Sequence, residues 1–427
     1  MKNILKRIIK DFHKQVFPEV YERMLAVPFH LNKIISIIGP RRAGKTFYLF
    51  QLMMQLEQMG VKRIQLLYIN FEDERLEFDG RYDLIIESYT ELYPELDLSS
   101  SYFFFDEIQE LKKWEKYIRR FYDNVSKNIF ITGSNSRLLS HEIGTALRGR
   151  SLAFEILPLS FREFLLFQHI DTTDIYSIKN ASLIQHAFNK YITWGGYPEL
   201  VYMDERFKLR TLQEYFNVMI YRDLIERYEI KSVHIVKYIL KRLISSFTKE
   251  FSVNKIFNEL KSKGISISKT NLYQLIDQIL SIYMLTVIEK YDRSVVKREM
   301  SNRKIYLYDT GLTSVTTTSL TEDRGKILEN IIFSHLLQMD VQVFFIKNSW
   351  ECDFVCFHQN SKQSTAIQVT QKLNHINIKR ELKGLDAAQK QLNNCNKLIL
   401  YEEVDPSASL PDNYEYQSIW AWLLSSW

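Results

Sequence analysis

The stretch Gly39-Pro40-Arg41-Arg42-Ala43-Gly44-Lys45-Thr46 constrains this chain more than any other part of its 427 residues. Its glycine spacing, closed by Lys-Thr, is the pattern of a phosphate-binding loop. Ile34-Ile35-Ser36-Ile37-Ile38 before it is short, apolar and β-branched, as a buried parallel strand requires. Phe47-Tyr48-Leu49-Phe50-Gln51-Leu52-Met53-Met54 after it runs on through Leu56 with no helix breaker. A strand, a glycine loop and a helix in that order surround an anion with backbone amides and a helix N-terminus. On this reading residues Gly39 to Phe47 cradle a nucleoside triphosphate. Lys45 reaches the β and γ phosphates, and the Thr46 hydroxyl ligates Mg²⁺.

Tyr102-Phe103-Phe104-Phe105-Asp106-Glu107-Ile108-Gln109 lies about 60 residues further on. Four large apolar residues running into Asp-Glu describe a buried strand whose carboxylates emerge at its C-terminal end, the ligand edge of an open α/β sheet. Asp106 is placed to hold Mg²⁺ through water, and Glu107 to polarise an attacking water. An ordinary strand ending in a solvated acidic turn is the plainer alternative, and the position after a phosphate loop weighs against it. Residues 1–30 read as helical, 63–71 as the second strand and 81–93 as a helix. Leu111, Trp114, Ile118 and Phe121 recur at helical spacing as core. Residues 128–136 form a further strand with a polar end. There Ser134 or Asn135 either orients the water and touches the γ phosphate or simply caps a helix.

Phosphate loop, Asp-Glu strand and polar strand end, in this order, resemble the AAA+ ATPases. The likeness is greatest to a prokaryotic group with an uncharacterised C-terminal domain, through Gly39-Pro40-Arg41-Arg42, Phe105-Asp106-Glu107-Ile108-Gln109, Gly133-Ser134, Pro158-Leu159-Ser160-Phe161 with Glu163-Phe164, and Gly195-Gly196-Tyr197-Pro198. The resemblance implies ATP and Mg²⁺ as cofactors and an α/β, P-loop AAA+ core over 1–157 with a parallel sheet. It also implies a helical lid over 158–231. It gives Leu147-Arg148-Gly149-Arg150 a role as a trans-acting arginine, Arg150 first and Arg148 second, that reaches a neighbouring copy in a homo-oligomer. A surface pair of arginines is the alternative.

Residues 231–310 carry fifteen Lys/Arg against seven Asp/Glu, so the region is +8 in a chain of net +5. Three helices (235–247, 252–261 and one from 268) followed by strands at 284–290 and 304–308 give the order of a winged helix over 232–315. In a DNA-binding reading Ser268, Lys269, Asn271 and Gln274 face the groove. Lys297, Arg298 and Arg303, in a basic turn, meet phosphates. The alternative is a module that packs on other domains with its lysines solvated.

Residues 322–427 show a further small α/β pattern that resembles the PD-(D/E)XK nuclease fold. Glu329 matches the helix acid and Asp353 the first strand acid, but Gln368 stands where the second acid belongs and Thr370 where the lysine belongs. Lys372 is near enough to be a migrated lysine. With two of four positions changed, an inactive, binding-only version is expected.

Cys352, Cys356 and Cys395 have no zinc spacing and make no disulfide framework, which points to a reduced, cytoplasmic setting. The basic N-terminus is not a signal peptide, and no apolar stretch is long enough to span a bilayer. The expected function is ATP hydrolysis coupled to conformational change or assembly, on DNA. A nucleotide-regulated protein-binding switch and an ATP-gated nuclease are the alternatives.

Overall fold

The computed structural model describes residues 1–133, 147, 149–316, 324–339, 341–358 and 363–425. The chain divides into two compact units, Met1–Leu157 and Pro158–Trp427.

The first unit is built on a five-stranded parallel sheet in the order β2-β3-β4-β1-β5. Its strands are β1 (Ile34–Ile38), β2 (Leu66–Asn70), β3 (Tyr102–Asp106), β4 (Ile129–Gly133) and β5 (Ser151–Glu155). Strands β1, β3 and β4 are buried at every position, as their unbroken apolar runs require for a sheet covered on both faces. The Phe104 and Phe130 rings stack across β3 and β4 with centroids 4.7 Å apart. Helix α1 (Lys2–Lys14) buries Leu5, Ile9 and Phe12, and Lys2 pairs with Glu87 and Glu91 on helix α3 (Leu84–Leu92). Helicity ends at Lys14, not at 30 as the sequence suggested. Residues 15–33 run irregularly, and from there the buried Arg23 side chain reaches the Ala43 and Leu157 carbonyls. The expected start of the second strand is a tight turn, Arg63–Gln65, before β2.

Because β1, β4 and β3 pair in parallel, the C-terminal ends of all three open on one edge. Helix α2 (Lys45–Gln58) leaves β1 at that edge through the glycine loop.

The second unit begins with helices Phe161–Phe167, Ile178–Trp194 and Glu205–Val218, the last passing into a wide π-helical stretch, Met219–Glu226. Helices Val233–Ile244, Val253–Ser262 and Lys269–Leu280 follow. An eight-stranded sheet has the order β13-β12-β11-β10-β9-β7-β8-β6. Its members are β6 (Glu250–Phe251), β7 (Leu285–Lys290), β8 (Arg303–Leu307), β9 (Val341–Lys347), β10 (Glu351–His358), β11 (Ser364–Leu373), β12 (Asn396–Val404) and β13 (Glu415–Ser418).

Strands β7 and β8 form an antiparallel hairpin. Its connection holds a short helix, Val295–Met300, where the sequence suggested a turn, and the Ser294 hydroxyl caps it. Strand β7 also pairs in parallel with β9, Glu289 opposite Phe344 and Lys290 opposite Phe345. The hairpin and the C-terminal strands therefore share one sheet.

A second link lies at Asp309. Its carboxylate accepts the Gly196 amide at 2.7 Å and the Gly311 amide at 2.8 Å. Gly195 has φ +73°, and a Cβ there would stand 2.0 Å from Asp309 Oδ1. Only glycine fits at that point.

Candidate nucleotide site

The loop from Gly39 to Gly44 turns at the end of β1. Gly39 approaches the chain so closely that a Cβ would fall 2.0 Å from the Ile156 carbonyl oxygen. Arg42 (φ +64°) and Gly44 (φ +96°) take left-handed conformations that fold the loop back onto α2. Lys45 is the first residue of that helix and is buried. Its ammonium donates to the Gly39 carbonyl at 3.2 Å and the Pro40 carbonyl at 3.1 Å, and stands 3.8 Å from Glu107 Oε1. Arg41 pairs with Glu72 at 3.6 Å, and Ala43 is buried. Phe47, about half exposed, meets the Phe50 ring edge-on.

Asp106 is fully buried at the end of β3, and three hydroxyls donate to it. Thr46 Oγ1 lies 2.8 Å and the Tyr68 hydroxyl 2.9 Å from Oδ2, and Thr132 Oγ1 donates to Oδ1. Burial pushes the Asp106 carboxyl above its ordinary value, and the Thr132 and Thr46 hydroxyls pull against that shift. Burial and the Asp106 charge likewise raise Tyr68. Glu107 has φ +51°, a left-handed conformation unusual for a non-glycine residue. Its amide donates to Thr132 Oγ1 at 2.8 Å, and its carboxylate accepts from Gln109 Nε2 at 2.5 Å. Thr132 thus touches both acidic residues.

Structure therefore brings Lys45, Thr46, Asp106 and Glu107 together. Ser134 and Arg148 lie outside the described residues. Arg150 is placed elsewhere. The register from Ile34 opposite Ser151 to Ile38 opposite Glu155 sets it at the far edge of the sheet from Gly39, where it pairs with Asp123 at 3.1 Å. Arg150 has no part in its own chain's loop.

Three contributors were not picked out from sequence. Thr132 and Tyr68 sit inside apolar strand runs that read as core. Arg23 donates to the Ala43 carbonyl at 2.8 Å and the Leu157 carbonyl at 2.7 Å, bracing the loop from behind. No local motif announces it.

In the second unit Glu329, Asp353 and Gln368 lie near one another, and the first two face Lys304, a β8 residue missed from sequence because it counted only toward the basic excess. Thr370 accepts from Asn377 Nδ2 at 3.2 Å. Among the proposed groove residues, Ser268, Lys269, Asn271 and Gln274 are exposed, with the Ser268 hydroxyl capping its helix at the Asn271 amide. Lys297 is exposed. Arg298 instead lies over the Phe344 ring at 5.4 Å, and Arg303 pairs with Glu289 at 3.6 Å. Cys352, Cys356 and Cys395 are buried free thiols. Among the described residues no helix is long and apolar enough to cross a membrane.

A family model described as an AAA domain matches residues 31–165, and one described as a domain of unknown function, DUF8612, matches residues 185–323. An uncharacterised protein of Methanocaldococcus jannaschii is 35% identical over 424 residues, covering 95% of this chain and 92% of its own length. An uncharacterised protein of Haemophilus influenzae is 30% identical over 327 residues, 76% of this chain and 78% of its own. Among solved structures, the Aeropyrum pernix ORC1 protein in complex with DNA aligns with a TM-score of 0.31 at 12% identity, covering 76% of this chain and 91% of that one. AMPPCP-bound DnaA from Aquifex aeolicus aligns with a TM-score of 0.25 at 12% identity, over 65% and 86%.

Proposed function

The chain belongs to one family with the uncharacterised Methanocaldococcus jannaschii protein, and from the AAA domain matched over residues 31–165 we propose that its first unit binds Mg²⁺-ATP and hydrolyses it. The observation that carries this reading is the meeting of Thr46 and Asp106 at 2.8 Å beside a left-handed Glu107. The loop fits a phosphate chain: side chains are excluded at Gly39, amides precede a helix N-terminus, and a buried ammonium faces inward. Thr46 and Asp106 would hold Mg²⁺, which supplies charge neutralisation on the phosphate oxygens. Lys45 leaves the Gly39 and Pro40 carbonyls and its longer approach to Glu107 to bind the β and γ phosphates. Glu107 orients and deprotonates water, with Gln109 and the Thr132 contact fixing its carboxylate and backbone.

Glu107→Gln is the test. Steady-state phosphate release is expected to fall by roughly 10²–10⁴-fold while ATP binding persists. Turnover at the wild-type rate in that variant would remove Glu107 from the role. Arg150, at the sheet edge remote from its own loop, acts on a neighbouring copy, and Ser134 contributes beside it as a polar contact to the γ phosphate or water. On this reading turnover per chain rises with protein concentration.

In the second unit, residues 158–231 act as the lid, 232–315 as a winged helix that meets DNA through Ser268, Lys269, Asn271, Gln274 and Lys297, and 322–427 as an inactive nuclease-like domain. A protein-binding switch without DNA is the second reading, supported by the commitment of Arg298 and Arg303 to contacts inside the unit. DNA affinity that falls steeply with salt, and falls again in Lys269→Ala, favours the first. Absence of DNA binding at low salt favours the second.

A further inference from the structure

Lys304 is almost wholly enclosed. Its ammonium stands 2.7 Å from Glu351 Oε1, 3.2 Å from Glu329 Oε1 and 3.7 Å from Asp353 Oδ1. Burial alone would strip a lysine of its proton. Here the charges of Glu329, Asp353 and Glu351 outweigh burial and raise its pKa. Glu351 responds in the opposite sense: burial raises its carboxyl, and Lys304 together with Lys347, 3.1 Å from its Oε2, more than reverses this. Asp353 behaves differently again. Burial and Glu329 push its carboxyl well above the carboxylate range, against Lys304 and the Val369 amide, which donates to Asp353 Oδ2 at 2.9 Å.

Around these acids Tyr306 donates to Glu329 Oε1 at 2.7 Å, Lys347 stands 3.1 Å from Glu351 Oε2 and Arg380 2.6 Å from Glu381 Oε1, and two acceptors are still left over. Gln368 Oε1 and Glu381 Oε2 are buried, and neither has a hydrogen-bond partner. The register Phe354 opposite Ile367, carried one step on, sets Asp353 opposite Gln368 on the same face of the sheet. Helix Ile378–Leu392 covers that face. A Cβ on its Gly384 would come 3.0 Å from Gln368 Oε1, and Glu381 lies one turn earlier. Buried carboxylate and amide oxygens gathered on one face are the donor type that a hard divalent cation takes. Yet among the described residues no group of acids is spaced to hold a metal ion, and the acids are instead gathered about the ammonium.

We propose that Lys304 is a tethered counter-ion, standing where a divalent cation would otherwise be drawn. Strand β8 supplies the positive charge that Glu329, Glu351 and Asp353 require, and the centre excludes an external metal while it ties the hairpin to helix Arg324–Gln338 and β10. Removing the ammonium while leaving the acids turns the centre into a cation site.

The experiment is Mn²⁺ titration of the 427-residue chain without nucleotide, by calorimetry. Wild type and Asp353→Asn are expected to take up Mn²⁺ alike. Lys304→Met is expected to gain a site at least about tenfold tighter than any in wild type. Adding Asp353→Asn to it abolishes that site. Lys304→Arg keeps a cation and stays closed to the metal. Wild-type Mn²⁺ uptake that depends on Asp353 would overturn the proposal, and so would a cooperatively melting Lys304→Met that gains no site. The wild-type and Asp353→Asn pair decides the matter even where Lys304→Met does not fold.

Discussion

Asp106 in the first unit and Asp353 in the second are both buried strand carboxyls raised by their surroundings, and they are satisfied in opposite ways. Around Asp106 the partners are neutral hydroxyls, and the nearby ammonium of Lys45 rests on carbonyl oxygens. Around Asp353 the nearest positive charge is Lys304, shared with Glu329 and Glu351. A hydroxyl can turn its proton away and offer a lone pair, so the first arrangement admits a cation at small cost. A buried ammonium cannot leave without stranding charge. One centre is prepared for a ligand, and the other is already complete.

That contrast can be broken by mutation. Lys304→Ala should cost the most, about 3–5 kcal/mol, because it leaves carboxylates buried without their cation. Urea unfolding measures it. Asp309 sharpens the rule, since it is buried with amide donors from Gly196 and Gly311, and its carboxyl is pushed up to about 6 by burial. A value above the ordinary one means the fold favours the protonated form. Its contribution to stability is thus complete below the unfolded value and is lost as pH rises through about 6, an amplitude on the order of 3 kcal/mol. The wild-type stability curve should carry that slope and Asp309→Asn should lack it.

Thr132→Val should cost less, about 1–3 kcal/mol, because it removes one donor from Asp106 and one acceptor from the Glu107 amide without stranding a full charge. A cost equal to that of Lys304→Ala would erase the distinction between the centres. Arg150→Ala should be smallest in thermal stability, below about 1 kcal/mol, since its pair with Asp123 is partly exposed. Its larger effect is expected on turnover at high protein concentration.

The geometry of the candidate site was largely legible because it is written in consecutive residues. The glycine spacing of 39–46 and the run from Tyr102 to Glu107 each name a strand end and what hangs from it. Thr132 and Tyr68 were invisible because a polar residue inside an apolar strand shows no sign of what lies across the sheet. Arg23 was hidden for a similar reason: its partners, Ala43 and Leu157, are distant in the chain and offer only main-chain oxygen. In the second unit, Glu329, Asp353 and Gln368 could be aligned by pattern. Lys304 could not, since it reaches them from a hairpin that local order assigns elsewhere.

The two amides that Asp309 accepts come from turns 115 residues apart, at Gly196 and Gly311. One small carboxylate therefore works as a rivet through two plates. Any swing of helix Ile178–Trp194 away from the end of β8 must break the Gly196 bond and expose a buried acid, while the Gly311 bond, local to the turn after β8, stays with Asp309. Helix and hairpin are thereby held to one another through a single buried side chain.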